Sequence, residues 1–155
     1  MAGLINTDLI AQVGFIVRDV EKSKKKWAAF FGVPVPATVD AGEYSVTQTR
    51  YKGRAAPRAA CKMAFFSAGP NMQLELIEPN GEKSTWQDFL DKHGEGIHHI
   101  AFRVKGMDKL LEACGETGLK CVQRGKYGDA SGEYAYLDGI KDYKCVIELL
   151  ESYRK

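Results

Sequence analysis

Long apolar runs, closely spaced cysteine pairs and a strong charge of either sign are all absent from this sequence of 155 residues. No apolar run approaches the ~20 residues that a membrane-spanning helix needs. The net charge of +2 is too small to favour a nucleic-acid partner. Residues 1–8 lack the charged and apolar segments of a secretion signal. We therefore expect no membrane or nucleic-acid partner, and a cytoplasmic location.

Cysteine is sparse and is placed without any metal-binding or redox pattern. The chain has four cysteines, Cys61, Cys114, Cys121 and Cys145, and none of them forms a C-x-x-C pair. This excludes a zinc knuckle and a thioredoxin-like motif. A chain of this length can bury a core without disulfide bonds. We expect reduced thiols in one domain that spans residues 1–155.

One segment, residues 96–104, combines a β-strand pattern with two adjacent histidines. Aliphatic and aromatic residues alternate along it and a glycine precedes it, which favours a strand. Neighbouring side chains of a strand point to opposite faces, so His98 and His99 are predicted to serve different sites. The same alternation places His99, Ala101 and Arg103 on one face.

The order of predicted elements contains a repeat. Helices are predicted at 20–31, 85–93 and 107–117, and turn-rich loops at 52–59 and 126–132. Strands are predicted at 9–17, 43–51, 61–67, 72–77, 96–104, 120–123, 133–137 and 145–150. This is a βαβββ unit twice over, at about 9–79 and about 96–151, which indicates an α+β fold. Residues 12–17 align with 99–104, and residues 74–78 align with 147–151.

Strand alternation brings four polar side chains to one face of the predicted sheet. Gln12 and Glu75 come from the first unit, and His99 and Glu148 come from the second. Each of them lies in an otherwise apolar strand, and the apolar positions between them are predicted to face the helices.

Two acids on an apolar sheet face need a partner. A buried carboxylate costs several kcal/mol unless it is paired or binds a metal. One alternative is pairing with Arg18, Arg50 or Arg103. The other is a divalent cation, since carboxylates, an imidazole and an amide oxygen suit zinc, cobalt, nickel or manganese. Because a closed structural zinc site favours cysteine, this set indicates an open, catalytic metal.

At these residues the chain resembles the vicinal oxygen chelate superfamily, also called the glyoxalase/bleomycin-resistance/dioxygenase group. The similarity covers nearly the whole chain. The opening pattern at 12–23 is a ligand, then V-G, then V-R-D-V-E-K-S. The patterns G-I-H-H-I-A-F at 96–102 and E-L-I-E-P at 75–79 are especially similar to those of methylmalonyl-CoA epimerases. The resemblance implies two βαβββ repeats that form a half-open mixed β-barrel with flanking helices, in a homodimer.

The resemblance also implies a ligand set and a reaction. Carried over position by position, the metal ligands are Gln12, Glu75, His99 and Glu148. The implied enzyme is a metal-dependent epimerase or isomerase that removes a proton alpha to a carbonyl through a metal-stabilised enolate. Glu148 is the expected base. The second base is left open between Glu75 and a residue of 43–51, with Glu43 and Gln48 as candidates.

Two alternatives remain open at this point. The Gln, Glu, His, Glu set also resembles that of the zinc type of glyoxalase I, a lactoylglutathione lyase. A metal-free small-molecule binder of the superfamily is the other alternative. Gln12 argues against dioxygenase chemistry, because dioxygenases of the family have histidine at this position.

The substrate is less well defined than the reaction. The turn at 137–142 departs from the epimerase pattern, and the basic loop 52–58 is unusual for it. That loop is either solvated or in contact with a phosphate or carboxylate of the substrate. Tyr134 and Tyr136 are expected either to pack in the core or to bond a polyol. The substrate is therefore an acyl-CoA, a keto acid or a sugar-like carbonyl compound.

Overall fold

The computed structural model describes residues 3–154, which form one curled mixed sheet of ten strands and five helices. The strands are β1 Ile10–Ile16, β2 Val39–Asp40, β3 Arg50–Tyr51, β4 Arg54–Ala55, β5 Cys61–Ser67, β6 Gln73–Pro79, β7 Gly96–Arg103, β8 Cys121–Lys126, β9 Gly132–Leu137 and β10 Val146–Ser152. The helices are α1 Val20–Phe31, α2 Tyr44–Thr47, α3 Thr85–His93, α4 Met107–Glu116 and α5 Ile140–Tyr143. None of these helices is long and apolar enough to cross a membrane.

The sheet consists of two similar halves that meet at its centre. The strand order is β2-β5-β6-β1-β7-β10-β9-β8-β3-β4. In the first half β1 pairs in parallel with β6, and in the second half β7 pairs in parallel with β10. The halves join within one chain where β1 pairs antiparallel with β7. The predicted α+β class and half-open barrel are confirmed.

The long helices cover the outer face of the sheet. Val20 and Ala28 of α1 pack with Leu74 and Leu76 of β6. In the second half, Met107 and Cys114 of α4 pack with Leu149 of β10. Asp19 caps α1 by accepting a hydrogen bond from the backbone N–H of Lys22. A third cluster, which includes Ile16, Ile77, Trp86, Tyr136 and Val146, lies on the inner face.

The strand predicted at 43–51 is wrong over most of its length. Residues Tyr44–Thr47 form α2, and only Arg50–Tyr51 pairs with the sheet, against β8. Gln48 ends the helix in the left-handed region at φ 47°. Local bonds to the carbonyls of Glu43 and Tyr44 replace a strand ladder here. The β-branched residues of this segment therefore did not produce a strand, because its backbone N–H groups bond to carbonyl groups within the segment.

Smaller differences between the predicted and the observed elements lie at the edges of the sheet and in the turns. Part of the predicted basic loop 52–59 forms β4, which pairs with β3 in a tight hairpin. The turn at 137–142 contains α5, and β8 runs on to Lys126 rather than ending at residue 123. The short β2 was not predicted, and it pairs with β5. All four cysteines are free thiols.

A β-bulge at the first histidine overturns the predicted separation of His98 and His99. Gly14 pairs with His99 and Phe15 pairs with Ile97, so His98 is the additional residue in β7. The bulge resets the alternation, and both histidine side chains are fully buried, whereas Ile97 is exposed. The Nδ1 atoms of the two rings lie 2.9 Å apart.

Two small residues at the centre of the sheet make room for the four polar ones. Gly14 of β1 lies between Glu75 of β6 and His99 of β7. Ala101 of β7 lies between Gln12 of β1 and Glu148 of β10. The His99 ring lies against the Cα of Gly14, because a Cβ added there would be 1.9 Å from Cε1 of His99.

We expect Gly14→Ala to destabilise the protein, although alanine suits a strand interior better than glycine. The added methyl must displace the buried His99 ring, so the free energy of unfolding should fall by ~1–3 kcal/mol in urea denaturation. Gly115→Ala is the matched control, since a Cβ there has no neighbour within 4 Å. It lies in a helix and should gain ~0.5–1 kcal/mol. Equal effects of the two substitutions would contradict this account.

Candidate active site

The four side chains expected to bind a metal come together on the inner face. They are carried by four adjacent strands of the sheet, β6, β1, β7 and β10. All four are buried, with relative exposures of 4% for Gln12, 6% for Glu75, 0% for His99 and 4% for Glu148.

The imidazole of His99 lies at the middle of this set. Its Nε2 atom is 3.1 Å from Oε1 of Gln12, 3.5 Å from Oε1 of Glu75 and 3.0 Å from Oε2 of Glu148. The amide of Gln12 donates to Oε2 of Glu75 at 3.3 Å and to Oε1 of Gln73 at 3.4 Å. Three oxygen atoms that can accept hydrogen bonds thus surround one nitrogen.

Two of these oxygens have the imidazole as their one polar contact. Oε1 of Glu75 and Oε2 of Glu148 are buried, and in residues 3–154 they contact only Nε2 of His99, at 3.5 and 3.0 Å. No arginine of that part of the chain forms a salt bridge with either acid, and Arg18 pairs with Glu95 instead. Pairing with an arginine, the alternative left open by the sequence, therefore does not explain the buried acids.

Burial and the charges of neighbouring groups shift the pKa values of Glu75 and His99. Burial raises the pKa of Glu75 to about 8, with His99 opposing the shift and Glu148 adding to it. Burial disfavours the charged form of His99, yet the carboxylates of Glu148 and Glu75 outweigh it and raise the pKa of this imidazole. In the metal-free protein, positive charge therefore collects at His99 and a proton is held at Glu75.

The chemistry of the set fits a divalent cation. Ligands at right angles, ~2.1 Å from a shared cation, lie ~3.0 Å from one another. The distances from His99 Nε2 to Glu148 and Glu75 are 3.0 and 3.5 Å, so small side-chain shifts would admit an ion. In residues 3–154 no three His, Cys, Asp or Glu side chains already have the geometry of a formed metal site. Metal ligation by these residues stays a prediction.

A cavity of about 580 Å³ opens above this set. Gln12, Glu75 and Glu148 line it, and His99 lies beneath them. Its walls are largely apolar and aromatic, and they include Met63, Phe65, Trp86, Tyr134, Tyr136 and Leu150. Exposed charged residues that also line it are Asp40, Arg103, Lys126 and Asp129. An apolar wall around a polar floor is typical of a small-molecule site.

The two tyrosines of β9 line the cavity, but their hydroxyl groups already have partners. Tyr136 accepts a hydrogen bond from Nε1 of Trp86 at 3.0 Å. Tyr134 accepts one from Nε2 of Gln123 at 3.1 Å. Tyr136 is 2% exposed, which agrees with a packing role.

The structure does not bring the other base candidates to this site. Glu43 and Gln48 are exposed at the two ends of α2, and neither lines the cavity. Sequence reasoning overlooked Lys126 and Tyr127, which do line it. They lie at the end of β8 and in the following turn, where strand alternation gives no orientation.

The basic loop borders a separate cleft of about 600 Å³. Lys52, Arg54, Arg58 and Lys83 line this cleft, and it shares no lining residue with the cavity. Arg58 lies 3.7 Å from Glu82, which partly offsets the positive charge. Contact of this loop with a substrate stays a prediction.

Comparisons with known proteins agree with this architecture. A family model for the Glyoxalase/Bleomycin resistance protein/Dioxygenase superfamily matches residues 11–136. The Ethylmalonyl-CoA/methylmalonyl-CoA epimerase of Cereibacter sphaeroides is 28% identical over 141 residues, covering 88% of this chain and 92% of that protein. YqjC, an uncharacterized protein of Bacillus subtilis, is 34% identical over 90 residues. That match covers 57% of this chain and 64% of YqjC, less than two thirds of its length.

Solved structures share the fold. The methylmalonyl-CoA epimerase of Mycobacterium tuberculosis superposes with a TM-score of 0.68 at 22% identity, covering 99% of this chain and 93% of that one. A variant of the Streptomyces coelicolor methylmalonyl-CoA epimerase, in complex with 2-nitronate-propionyl-CoA, gives a TM-score of 0.65 at 23% identity, with coverage of 94% and 97%.

The raised pKa of Glu75 predicts a pH effect on the metal-free protein. The folded state holds this proton more tightly than the unfolded state, so stability should fall as pH rises from 4.5 to about 8. Glu75→Gln has no proton to lose there. In urea denaturation after chelator treatment, the variant should gain stability relative to the wild type between pH 5 and pH 8. Parallel pH profiles of the two proteins would contradict the assignment.

Proposed function

This chain belongs to the Glyoxalase/Bleomycin resistance protein/Dioxygenase superfamily, and we propose that it is an epimerase of the methylmalonyl-CoA type. Such an enzyme removes the proton alpha to a carbonyl from one face of that carbon and delivers a proton to the opposite face. The observation that carries the proposal is the pair of buried carboxylates, Glu75 and Glu148, that meet at one imidazole on the floor of the cavity, with no arginine or lysine of residues 3–154 paired to them.

The residues that would hold a divalent metal ion (Zn, Co, Ni or Mn) are Gln12, Glu75, His99 and Glu148. When bound, such an ion would stabilise the negative charge that develops on the substrate oxygen as the proton leaves. The carboxylate pair supports this assignment, since no arginine or lysine of residues 3–154 pairs with either buried acid and a single imidazole lies between them.

Glu148 is the proposed base. Its side chain lines the cavity, and in residues 3–154 its Oε2 atom has no polar contact other than Nε2 of His99 at 3.0 Å, so the carboxylate keeps lone pairs for the proton. Glu75 approaches from the other side of His99 and is the proposed partner that returns a proton. The aromatic wall of Trp86 and Tyr136 limits the access of water to this proton.

The proposed substrate is an acyl-CoA with a second acidic group, by analogy with the epimerases that share the fold. Arg103 and Lys126 line the cavity, and no salt bridge in residues 3–154 occupies them. Arg103 lies two residues after Ala101 on β7. These two cations are the proposed contacts for the carboxylate of the substrate. A homodimer also stays a prediction.

Glu148→Gln should abolish isotope exchange without unfolding the protein. An amide cannot accept the alpha proton, so deuterium uptake from D₂O into methylmalonyl-CoA should fall by at least ~10²-fold. The measurement is mass spectrometry of the substrate, alongside thermal denaturation of the variant. Glu116→Gln, an exposed site on α4, is the matched control and should keep full exchange. Unchanged exchange in Glu148→Gln would remove the base assignment.

Arg103→Gln should weaken substrate binding more than turnover. The lost charge contributes to holding the acid group and not to proton transfer, so KM should rise by ~10-fold while kcat changes less. Steady-state kinetics with methylmalonyl-CoA give both values. Arg54→Gln, in the separate basic cleft, should leave both unchanged if that cleft is not used. A matching loss in Arg54→Gln would extend the substrate site into the cleft.

Glyoxalase-type isomerisation is the second candidate. The observation that favours it is the ligand set itself, since Gln, Glu, His and Glu resembles the set of zinc-type glyoxalase I. Assay of the metal-loaded protein with methylglyoxal and glutathione separates the two candidates. Turnover there, without deuterium uptake into methylmalonyl-CoA, would replace the epimerase proposal.

A further inference from the structure

Tyr127 is a tyrosine of the cavity to which the proposed chemistry gives no role. It lines the cavity together with Tyr134 and Tyr136. The hydroxyl groups of those two residues accept hydrogen bonds from Gln123 and Trp86. The hydroxyl group of Tyr127 forms no hydrogen bond with any group of residues 3–154. Within that part of the chain, its donor and acceptor capacity are therefore both unused.

A glycine of β9 leaves the space on the inner face that the Tyr127 ring occupies. Gly132, Tyr134 and Tyr136 alternate along β9 onto one face, and the two tyrosines line the cavity there. A Cβ added to Gly132 would lie 2.5 Å from Cε2 and 2.9 Å from Cδ2 of Tyr127. The ring of Tyr127 therefore continues the row of aromatic rings along the inner face.

The turn after β8 holds Tyr127 in this position. The backbone N–H of Tyr127 donates to the carbonyl of Gly132, and its carbonyl accepts from the N–H of Ala130, both at 2.9 Å. The next residue, Gly128, packs directly on the segment after β2, because a Cβ there would lie 2.8 Å from the carbonyl oxygen of Ala41. A phenol on such a fixed turn is preorganised, so little ordering is needed when a ligand bonds to it.

Positive charge accompanies this phenol at the cavity. Arg103 and Lys126 also line the cavity, and no salt bridge in residues 3–154 occupies either of them. Arg103 pairs with Leu150 of β10, which is two residues along that strand from Glu148. Burial raises the pKa of Tyr127, the charge of Glu148 adds to the rise and that of Arg103 opposes it. The phenol therefore stays protonated and can donate a hydrogen bond.

A carboxylate next to the reacting carbon fits these groups. In the proposed substrate, the second acid group is bonded to the carbon whose proton Glu148 takes. A carboxylate has several lone pairs and accepts charge-assisted hydrogen bonds, which are the strong ones. The guanidinium of Arg103 supplies charge, and a phenol on a fixed turn supplies a donor with one direction.

We propose that Tyr127 is a specificity-determining residue whose hydroxyl group donates a hydrogen bond to the carboxylate of the substrate, beside Arg103. The role rests on the proposed function, since it takes an acyl-CoA with a second acid group as the substrate. Tyr127 then distinguishes an acyl-CoA that carries a carboxylate on the alpha carbon from one that lacks it. It takes no part in moving the proton.

Binding of two acyl-CoA compounds to Tyr127→Phe tests this role. Phenylalanine keeps the ring against Gly132 and removes only the hydroxyl group. Methylmalonyl-CoA should bind the variant ~10-fold more weakly than the wild type, as expected for the loss of a hydrogen bond to a charged group. Propionyl-CoA, which lacks the carboxylate, should bind both proteins equally. Isothermal titration calorimetry of the metal-loaded proteins gives the four dissociation constants.

Tyr143→Phe is the matched control, since Tyr143 is 53% exposed on α5 and does not line the cavity. It should bind both compounds as the wild type does. Unchanged binding of methylmalonyl-CoA to Tyr127→Phe would overturn the proposal. An equal loss of affinity for both compounds would also overturn it, because the hydroxyl group would then support the cavity wall and not the carboxylate.

Steady-state kinetics distinguish a failure of this role from a failure of the proposed function. In Tyr127→Phe, KM for methylmalonyl-CoA should rise by ~10-fold while kcat changes less. A wild type that takes up deuterium into methylmalonyl-CoA, with an unchanged KM in Tyr127→Phe, would overturn the role of Tyr127 alone. A wild type that neither binds methylmalonyl-CoA nor exchanges its proton would contradict the proposed substrate, and the carboxylate contact with it.

Discussion

The structure depends on the placement of two carboxylates in a buried site with a single imidazole between them. Glu75 and Glu148 have relative exposures of 6% and 4%, and one oxygen of each has the His99 imidazole as its one polar contact in residues 3–154. Burial of that kind costs several kcal/mol, so it persists only where the rest of the fold supplies the stability. Here that stability comes from the two apolar clusters beneath α1 and α4, on the outer face.

The duplicated unit explains how four polar groups reach one point. Around the centre of the sheet, each half contributes a small residue that lies between two polar ones, Gly14 in one half and Ala101 in the other. Larger side chains at these positions would fill the space that the imidazole and the acids need. The His99 ring takes the volume that a Cβ on Gly14 would occupy. The site is therefore built as much from small side chains as from functional ones.

Strand periodicity in the sequence predicted the face on which Gln12, Glu75 and Glu148 lie, because regular strands leave only two choices. It failed at His98, since a β-bulge shifts the alternation of side chains by one residue. No local sequence pattern indicates that a bulge is present. It failed again at 43–51, where hydrogen bonds within a short helix replaced sheet pairing. Whether residues near the cavity opening, such as Lys126 and Tyr127, line the cavity depends on how segments distant in the sequence pack together. A single sequence does not give that packing.

The two outermost strands, β2 and β4, are each two residues long. Such short edge strands offer few free backbone N–H and C=O groups for pairing with a strand of another chain. The hairpin of β3 and β4 belongs to the first half, yet it closes the border of the second half by pairing with β8. If two copies of the chain associate, the contact must therefore be made through side chains on helices or sheet faces. A continuous intermolecular sheet is disfavoured at both edges.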